Sequence, residues 1–263
     1  VLYRNNGDGT FSDVTRRAGV DRGAKVGAGT CFLDIEGDGD LDLYAANYVD
    51  FNYDNHVIRT IGPHQFYPGP NDYRGVPDNL FRNNGDGTFT DVSSPAGIAA
   101  VAGPGMGMVC LDYDEDGDTD VFVGNDAAAN FLFQNDGRGH FTEVGLLAGV
   151  AYDGLGNANS SMGTDCGDFD NDGHLDLFMT DYSNEAPVLY RNLGQGLFED
   201  ATNAAGAASS AFPHVNWGNS LVDFDNDGDR DLFIACGHLL DNIHVIDDRT
   251  AFKVRNILLM NTG

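Results

Sequence analysis

The residues with the clearest chemistry are the aspartates of the nonapeptide DFDNDGHLD, which spans residues 168–176. Aspartates at its positions 1, 3, 5 and 9 surround a glycine at position 6. Four carboxylates this close repel one another, and a calcium ion, which accepts six to eight oxygen ligands, removes that repulsion. The first half matches the start of an EF-hand loop, but no glutamate stands at position 12, and the apolar run LFMT follows at once. The nonapeptide therefore predicts a calcium loop between two β-strands.

The same nonapeptide occurs four times, as loop 1 (34–42), loop 2 (112–120), loop 3 (168–176) and loop 4 (223–231). A solvated acidic turn would explain one copy, whereas four copies that keep the same positions indicate about four structural calcium ions. We expect each ion to be held by the side chains at positions 1, 3, 5 and 9 and the carbonyl at position 7. The predicted ligands are Asp34, Glu36, Asp38, Asp40 and Asp42; Asp112, Asp114, Asp116, Asp118 and Asp120; Asp168, Asp170, Asp172, His174 and Asp176; and Asp223, Asp225, Asp227, Asp229 and Asp231. Glu36 is the one side-chain ligand that is not aspartate, and its greater length is expected to loosen loop 1.

The elements that must position these loops are short strands. A hairpin pattern, VLYRNNGDGTFSDVT, opens the chain and recurs at 79–93, 131–145 and 188–202, with a broken copy at 257–263. The runs after the loops (LYAAN, VFVGN, LFMTD and LFIAC) are continuously apolar, which predicts burial on both faces. The first loop aspartates follow one another at intervals of 78, 56 and 55 residues. A four-stranded unit of this period, without helical periodicity, predicts an all-β fold, a β-propeller with one calcium loop between the first two strands of each blade.

We expect one propeller over residues 1–263, with repeat units at about 1–29 (partial), 30–104, 105–160, 161–214 and 215–263. Because both ends of the sequence fall inside a repeat, we expect a fragment of a longer chain whose terminal strands do not close a ring. An insertion at 48–77 is rich in proline, glycine and aromatic residues. Two readings of it remain open, a lid that contacts a ligand or partner, and a surface loop packed by its own aromatic side chains.

Composition excludes several classes of function. The chain has 41 acidic and 14 basic residues and a formal net charge of -27, which argues against binding to nucleic acid. Its hydrophobic content of 41% argues against disorder. No apolar stretch approaches the ~18 residues of a membrane-spanning helix. No nucleophile, phosphate-binding or metalloprotease motif is present, so we expect that the protein is not an enzyme.

The four cysteines are Cys31, Cys110, Cys166 and Cys236. Cys110 and Cys166 each stand two residues before a loop, at equivalent places in adjacent inner strands. A disulfide between these two is one interpretation, and buried free thiols are the favoured one, because neighbouring propeller strands often diverge too far for a bridge. No CxxC spacing occurs, which argues against a zinc site.

The runs GMGMVCLDYDEDGDTDVFVGND and SMGTDCGDFDNDGHLDLFMTDY resemble the FG-GAP/VCBS repeats of integrin α-subunit propellers. The hairpins of the type RNNGDGTFTDV, with the AGV or AGI tails after them, are similar to those of secreted bacterial relatives of cartilage acidic protein. This resemblance implies a seven-bladed, calcium-bearing, extracellular propeller that is adhesive or scaffolding more often than catalytic. The sequence supplies only about four to four and a half blades.

The function expected from the sequence is that of a calcium-stabilised binding or scaffolding module, secreted or on the cell surface. Its expected partner is a protein or a cell-surface glycan, with self-assembly also open. Two alternatives remain, a polysaccharide-active hydrolase or lyase and a lectin, the latter resting on exposed aromatic residues such as Tyr67, Tyr73 or Trp217. An enzyme would require a concave pocket whose polar groups do not hold calcium.

Overall fold

A computed structural model describes residues 1–21 and 25–263, so part of the predicted repeat unit 1–29 lies outside the described residues. In chain order the strands are β1 Tyr3–Asn5, β2 Phe11–Asp13, β3 Gly27–Leu33, β4 Asp42–Asn47, β5 Arg59–Ile61, β6 His64–Phe66, β7 Asn79–Asn83, β8 Phe89–Asp91, β9 Gly105–Leu111, β10 Asp120–Asn125, β11 Phe131–Asn135, β12 Phe141–Glu143, β13 Thr164–Gly167, β14 Asp176–Met179, β15 Val188–Asn192, β16 Phe198–Asp200, β17 Asn216–Val222, β18 Asp231–Cys236 and β19 Ile257–Leu259. The helices are single turns, α1 Gly145–Ala148 and α2 Thr202–Ala205, with 3-10 turns at Pro70–Asp72, Ile98–Ala100 and Ile243–Val245. Among the described residues no helix has the length and apolar character needed to cross a membrane.

The strands form antiparallel sheets in the order that the repeat predicts. Blade 1 is β3-β4-β7-β8, blade 2 is β9 to β12, blade 3 is β13 to β16, and blade 4 is β17-β18-β19. A separate two-stranded sheet, β1-β2, precedes blade 1. In every blade the nonapeptide joins the first two strands, and the hairpin pattern supplies the third strand and, in blades 1 to 3, the fourth. The fold is therefore all-β and built of propeller blades, as the sequence predicts.

The hydrophobic core lies between blades, and the sheets of blades 2 and 3 each contribute both of their faces. The first core joins blade 1 to blade 2 and includes Tyr44 and Phe133; the second joins blade 2 to blade 3 and includes Phe122 and Tyr190. The second strands are the most buried, and every residue of β10 and β14 is buried. This arrangement explains why these strands are continuously apolar rather than alternating.

Neighbouring blades approach closely at the inner strands, through a glycine five residues before loops 1, 2 and 3. A β-carbon at Gly29 would lie 3.0 Å from the carbonyl oxygen of Met106, and one at Gly107 would overlap the carbonyl oxygen of Met162. The equivalent Gly218 of blade 4 would meet nothing within 4 Å. Only glycine allows the backbones of successive inner strands to pack this closely, which is one physical requirement of the repeat.

The four described blades do not close a ring among themselves. Inner strand β3 contacts β9, β9 contacts β13, and β13 contacts β17, whereas β17 and β3 make no comparable contact in the described ranges. The β1-β2 sheet stands beside blade 1, where the Phe89 N–H donates to the Ala18 carbonyl over 2.8 Å. Strand β19 pairs with β18 and not with β1. The four blades thus form an open arc.

A disulfide joins Cys31 to Cys110, so the expectation of free thiols is wrong for these two cysteines, and the alternative pair Cys110–Cys166 is wrong as well. Cys166 and Cys236 are free thiols. Cys110 and Cys166 occupy equivalent positions and therefore point in the same direction around the arc, each towards the preceding blade. Cys31 lies three residues before its loop rather than two, and this one-residue offset turns its side chain towards blade 2.

The insertion 48–77 is ordered partly by its own aromatic side chains. The ring of Phe51 packs edge-on against Tyr53, His56 and Tyr73. Strands β5 and β6 form a small hairpin, which meets blade 4 where Asn242 Nδ2 donates to the Gln65 carbonyl over 3.4 Å. The base of the insertion is therefore packed by its own aromatic side chains, as one of the two interpretations predicts, while its β5-β6 hairpin contacts blade 4.

Candidate metal centre

Three of the four loops bring three carboxylates together. In loops 2, 3 and 4 one carboxylate oxygen each from positions 1, 3 and 9 lies within 4.8 Å of the others. The triads are Asp112, Asp114 and Asp120; Asp168, Asp170 and Asp176; and Asp223, Asp225 and Asp231. Two unit charges 4.8 Å apart repel by about 3.5 kcal/mol at an effective dielectric constant near 20. Each triad is therefore a group of hard oxygen ligands that a divalent cation would stabilise.

Loop 1 does not form this triad among the described residues. Its position 3 is Glu36, whose carboxylate lies 4.0 Å from Arg82 Nε in strand β7 of the same blade. The other residues of the loop keep the backbone geometry of the repeat, since Asp34 accepts the N–H of Gly39 over 2.9 Å. The longer glutamate is thus the local difference between loop 1 and the other three.

Backbone hydrogen bonds hold positions 1 and 9 in place in all four loops. In loop 3, Asp168 accepts the N–H of Gly173 over 3.0 Å, and this glycine has φ +95°, a conformation that favours glycine over other residues. Asp176 accepts the N–H of Phe169 with one oxygen over 2.9 Å and the N–H of Asn192 with the other over 2.8 Å. The ligand at position 9 therefore joins the loop to the third strand of the blade.

Positions 5 and 7 lie outside the triads. The side chain at position 5 accepts the N–H of position 7 in each loop, as in the bond of 2.9 Å from His174 to Asp172. Several position-7 side chains face a neighbouring loop, since His174 bonds Glu115 of loop 2 and Asp229 accepts from Asn171 over 2.7 Å. The predicted ligand roles of the remaining residues of this set stay predictions: Asp38, Asp116, Asp172 and Asp227 at position 5, and Asp40, Asp118, His174 and Asp229 at position 7.

The triads fit a cation on electrostatic grounds. Burial raises the pKa of Asp120 to about 7 and that of Asp176 to about 6. In loop 2 the Oδ1 atoms of Asp112 and Asp114 are buried and have no hydrogen-bond partner in the described part of the chain. A buried carboxylate oxygen without a partner is costly, and a bound cation removes that cost. The chemistry of the oxygen donors suits calcium or magnesium rather than a soft metal.

One contributor to the site was not predicted from the sequence, an asparagine that recurs once in each repeat, as the loops do. It ends the first strand of each hairpin pattern or follows that strand within two residues, in the signature RN, QN or MN, and the chain has five copies: Asn5, Asn83, Asn135, Asn192 and Asn261. The backbone N–H of Asn192 donates to Asp176, while its Nδ2 donates to the Tyr113 carbonyl of loop 2 over 2.8 Å. The repetition of asparagine at this place in every hairpin was the available signal.

The other candidate residues lie elsewhere in the blades. Asn47 and Asn125, at the far ends of strands β4 and β10, are buried and cap these strands; Asn47 Nδ2 donates to the Pro77 carbonyl over 2.8 Å, and Asn125 Nδ2 donates to the Ala129 carbonyl over 2.7 Å. Trp217 Nε1 donates to the Gly237 carbonyl over 2.6 Å, which satisfies its indole. None of these residues joins a metal triad in the described chain.

Comparison with known proteins gives four matches to the FG-GAP-like repeat, over residues 1–45, 66–123, 112–179 and 168–234. The chain is 29% identical over 194 residues to human cartilage acidic protein 1, covering 72% of this chain and 25% of that protein. It is 28% identical over 173 residues to the Xenopus tropicalis protein of the same name, covering 63% of this chain and 26% of that protein. It thus spans about a quarter of the length of these relatives.

Two solved structures also align with the chain. One, described as the basis of recognition of non-reducing terminal N-acetylglucosamine by an Agrocybe aegerita lectin, has a TM-score of 0.35 and 17% identity, covering 98% of this chain and 74% of that one. The other, the V. cholerae biofilm matrix protein Bap1, has a TM-score of 0.31 and 12% identity, covering 80% of this chain and 35% of that one.

Proposed function

This chain belongs to the FG-GAP-like repeat family, and from that premise we propose that it is a calcium-stabilised extracellular module that binds a protein or cell-surface partner. The observation that carries the proposal is the convergence of three carboxylates in loops 2, 3 and 4. We assign calcium to these three loops with the tighter affinity and to loop 1 with a weaker one, because the longer Glu36 at position 3 does not complete a carboxylate triad in the described residues of loop 1.

The proposed role of calcium is structural. Each loop joins the first two strands of a blade, and the position-9 aspartate also bonds the third strand, so an ion there fastens three strands together. A ligand that binds only the folded state stabilises it by about 2.7 kcal/mol per site when its concentration is one hundred times its Kd. Three such sites would contribute a large part of the stability of a domain, since whole domains are stable by only about 5–15 kcal/mol.

An extracellular location is supported by two observations. The Cys31–Cys110 disulfide is a type of bond that persists in oxidising compartments. The relatives named cartilage acidic protein agree with this location by name. We infer a binding role rather than catalysis, since the three carboxylate triads are the sites that would hold the cation.

The direct test is calcium titration of chelator-treated protein by calorimetry, together with thermal unfolding in calcium and in chelator. We expect three tight binding events, a weaker fourth, and a lower melting temperature in chelator. Asp170→Asn should remove one tight event, while Asp86→Asn, in the exposed turn of a hairpin, should remove none. Absence of binding with an unchanged melting curve would refute the proposal.

Glycan binding is a second candidate function, and one surface favours it. The Tyr67 side chain is 70% exposed beside a groove between the insertion and blade 4. His56, Gln65 and Asn242 line the same groove and offer hydrogen-bonding groups next to the aromatic ring. An exposed aromatic ring with adjacent polar groups suits the apolar face and the hydroxyls of a sugar. The other two aromatic candidates are engaged, since Trp217 bonds Gly237 and Tyr73 packs on Phe51.

A glycan array with the purified chain, repeated with Tyr67→Ala, tests this second candidate. We expect any glycan bound by the native chain to be lost with Tyr67→Ala and kept with Tyr53→Ala, a matched exposed tyrosine outside the groove. Equal binding by all three proteins would exclude the groove as the site.

A further inference from the structure

One asparagine bonds two neighbouring loops at once. Asn192 is 1% exposed, and its backbone N–H donates to Asp176, a triad member of loop 3, over 2.8 Å. Its side-chain Nδ2 donates to the carbonyl of Tyr113, the second residue of loop 2 in the preceding blade, over 2.8 Å. The N–H of Tyr113 in turn donates to Asp120, a triad member of loop 2, over 3.2 Å. Two triads are therefore joined through two residues.

The same connection occurs at each boundary between blades. Asn135 bonds Asp120 of loop 2 over 2.8 Å and the Ile35 carbonyl of loop 1 over 3.0 Å. Asn261 bonds Asp231 of loop 4 over 2.8 Å and the Phe169 carbonyl of loop 3 over 2.7 Å. The hydrogen bonds thus run without interruption from loop 1 to loop 4.

Asn83 of blade 1 is a natural comparison. It bonds Asp42 over 2.7 Å and the Leu41 carbonyl over 2.9 Å, which are the contacts that the other asparagines make inside their own blades. Within the described residues it makes no bond to another blade. The bond between blades can therefore be separated experimentally from the bonds within one blade.

We propose that Asn135, Asn192 and Asn261 are positioning residues that couple neighbouring calcium loops, so that an ion in one loop raises the calcium affinity of the next. The proposal rests on the proposed calcium function. An ion in loop 3 holds Asp176, and Asp176 fixes the backbone of Asn192. The side chain of Asn192 then holds the second residue of loop 2, which lies between two triad members of that loop. The first ion thus orders part of loop 2 in advance, so the second ion binds with a smaller loss of conformational entropy.

Direct repulsion between the ions acts in the opposite direction and does not depend on the asparagine. A double-mutant cycle therefore isolates the contribution of Asn192. Coupling is reciprocal, so a loop 3 ion must help loop 2 by the same factor as the reverse. Typical couplings between sites are about 5- to 150-fold in affinity, and we expect the lower end, because a single side chain carries the connection.

Loop 2 can be observed by itself. Tyr113 stands at position 2 of loop 2, where the other loops have Ile35, Phe169 and Phe224. Terbium bound in loop 2 is therefore excited through Tyr113, and calcium that displaces it reports the affinity of this loop. The part of the emission that is lost both with Tyr113→Phe and with Asp114→Asn, which disables loop 2 itself, reports loop 2.

The experiment measures calcium affinity at loop 2 with loop 3 intact and with loop 3 disabled by Asp170→Asn. With Asn192 present, we expect Asp170→Asn to weaken loop 2 by about fivefold. With Asn192→Ala, the same change should leave loop 2 unaffected, and with Asn83→Ala the fivefold response should remain. Asn192→Ser is the second variant if Asn192→Ala does not fold.

Each outcome decides the question. Equal loop 2 affinity with and without Asp170→Asn in the native background would overturn the coupling, and so would a response that survives Asn192→Ala. If calcium displaces terbium from loop 2 but Asp170→Asn does not change the affinity of loop 2, the coupling is refuted and the proposed calcium function is not. Absence of calcium binding at loop 2 in the native chain would instead refute the proposed function, and the coupling with it.

Discussion

Replacing Asp78 by asparagine should change how the stability of the protein depends on pH. Asp78 is 6% exposed, and it accepts the hydroxyl of Tyr44 and the N–H of Asn47, both over 2.7 Å. Burial raises the pKa of Asp78 to about 6. In blade 2 the equivalent residue is Asn130, which accepts the N–H of Asn125 over 2.9 Å. Asp78→Asn therefore introduces into blade 1 the residue type that blade 2 has at the equivalent position.

The direction of this pH dependence follows from which state of the protein, folded or unfolded, binds the proton of Asp78 more tightly. The pKa of an aspartate in the unfolded chain is about 3.9, so between pH 4 and pH 6 the folded state binds more protons than the unfolded state. Stability from this carboxyl is therefore present below about pH 4 and is lost as the pH rises to the folded pKa. One unit of pKa corresponds to about 1.4 kcal/mol. A difference of about two units then amounts to roughly 3 kcal/mol.

The assay is chemical unfolding of the native chain and Asp78→Asn at pH 4 and at pH 7, in the same excess of calcium. Ionisation of the other carboxylates affects both proteins alike, so the difference between them isolates Asp78. We expect the stability of Asp78→Asn relative to the native chain to increase by about 2–3 kcal/mol from pH 4 to pH 7. A difference that stays constant between the two pH values would refute the reasoning, because it would mean that Asp78 titrates normally in the folded state.

Three further predictions concern the contacts between blades and loop 1. Gly107→Ala should destabilise the protein by about 3 kcal/mol in denaturant titration, because the added carbon meets a backbone carbonyl of blade 3. The equivalent Gly218→Ala should cost less than about 0.5 kcal/mol. Equal effects of the two substitutions would contradict the close approach of the inner strands. Reduction of the Cys31–Cys110 bond, which spans 79 residues, should lower the free energy of unfolding by about 4–5 kcal/mol, measured with and without reductant; no change would show that the bond adds nothing to stability. Glu36→Asp should add a tight calcium site in calorimetry, and an unchanged number of tight sites would show that the glutamate is not what distinguishes loop 1.

The sequence alone was enough to predict the loops, the strands and their order. The nonapeptide loops are local structures, because in loops 2, 3 and 4 nine consecutive residues bring the oxygens at positions 1, 3 and 9 together around one glycine turn. The strands after them are continuously apolar because both of their faces are covered. The run VFVGN, in which every residue is buried, is an example. Repetition strengthened both predictions, since four copies of one pattern leave little room for chance.

Contacts between residues far apart in the sequence were decided only by the tertiary structure. Pairing of Cys31 with Cys110 depends on which face of a strand each thiol occupies, and a one-residue offset in the distance to the loop reverses that face. The bond from Asn192 to the Tyr113 carbonyl crosses 79 residues, and its existence depends on how closely two blades approach. A repeat pattern specifies one blade, whereas the distance and facing between blades follow from packing, so these contacts could not be read from the sequence.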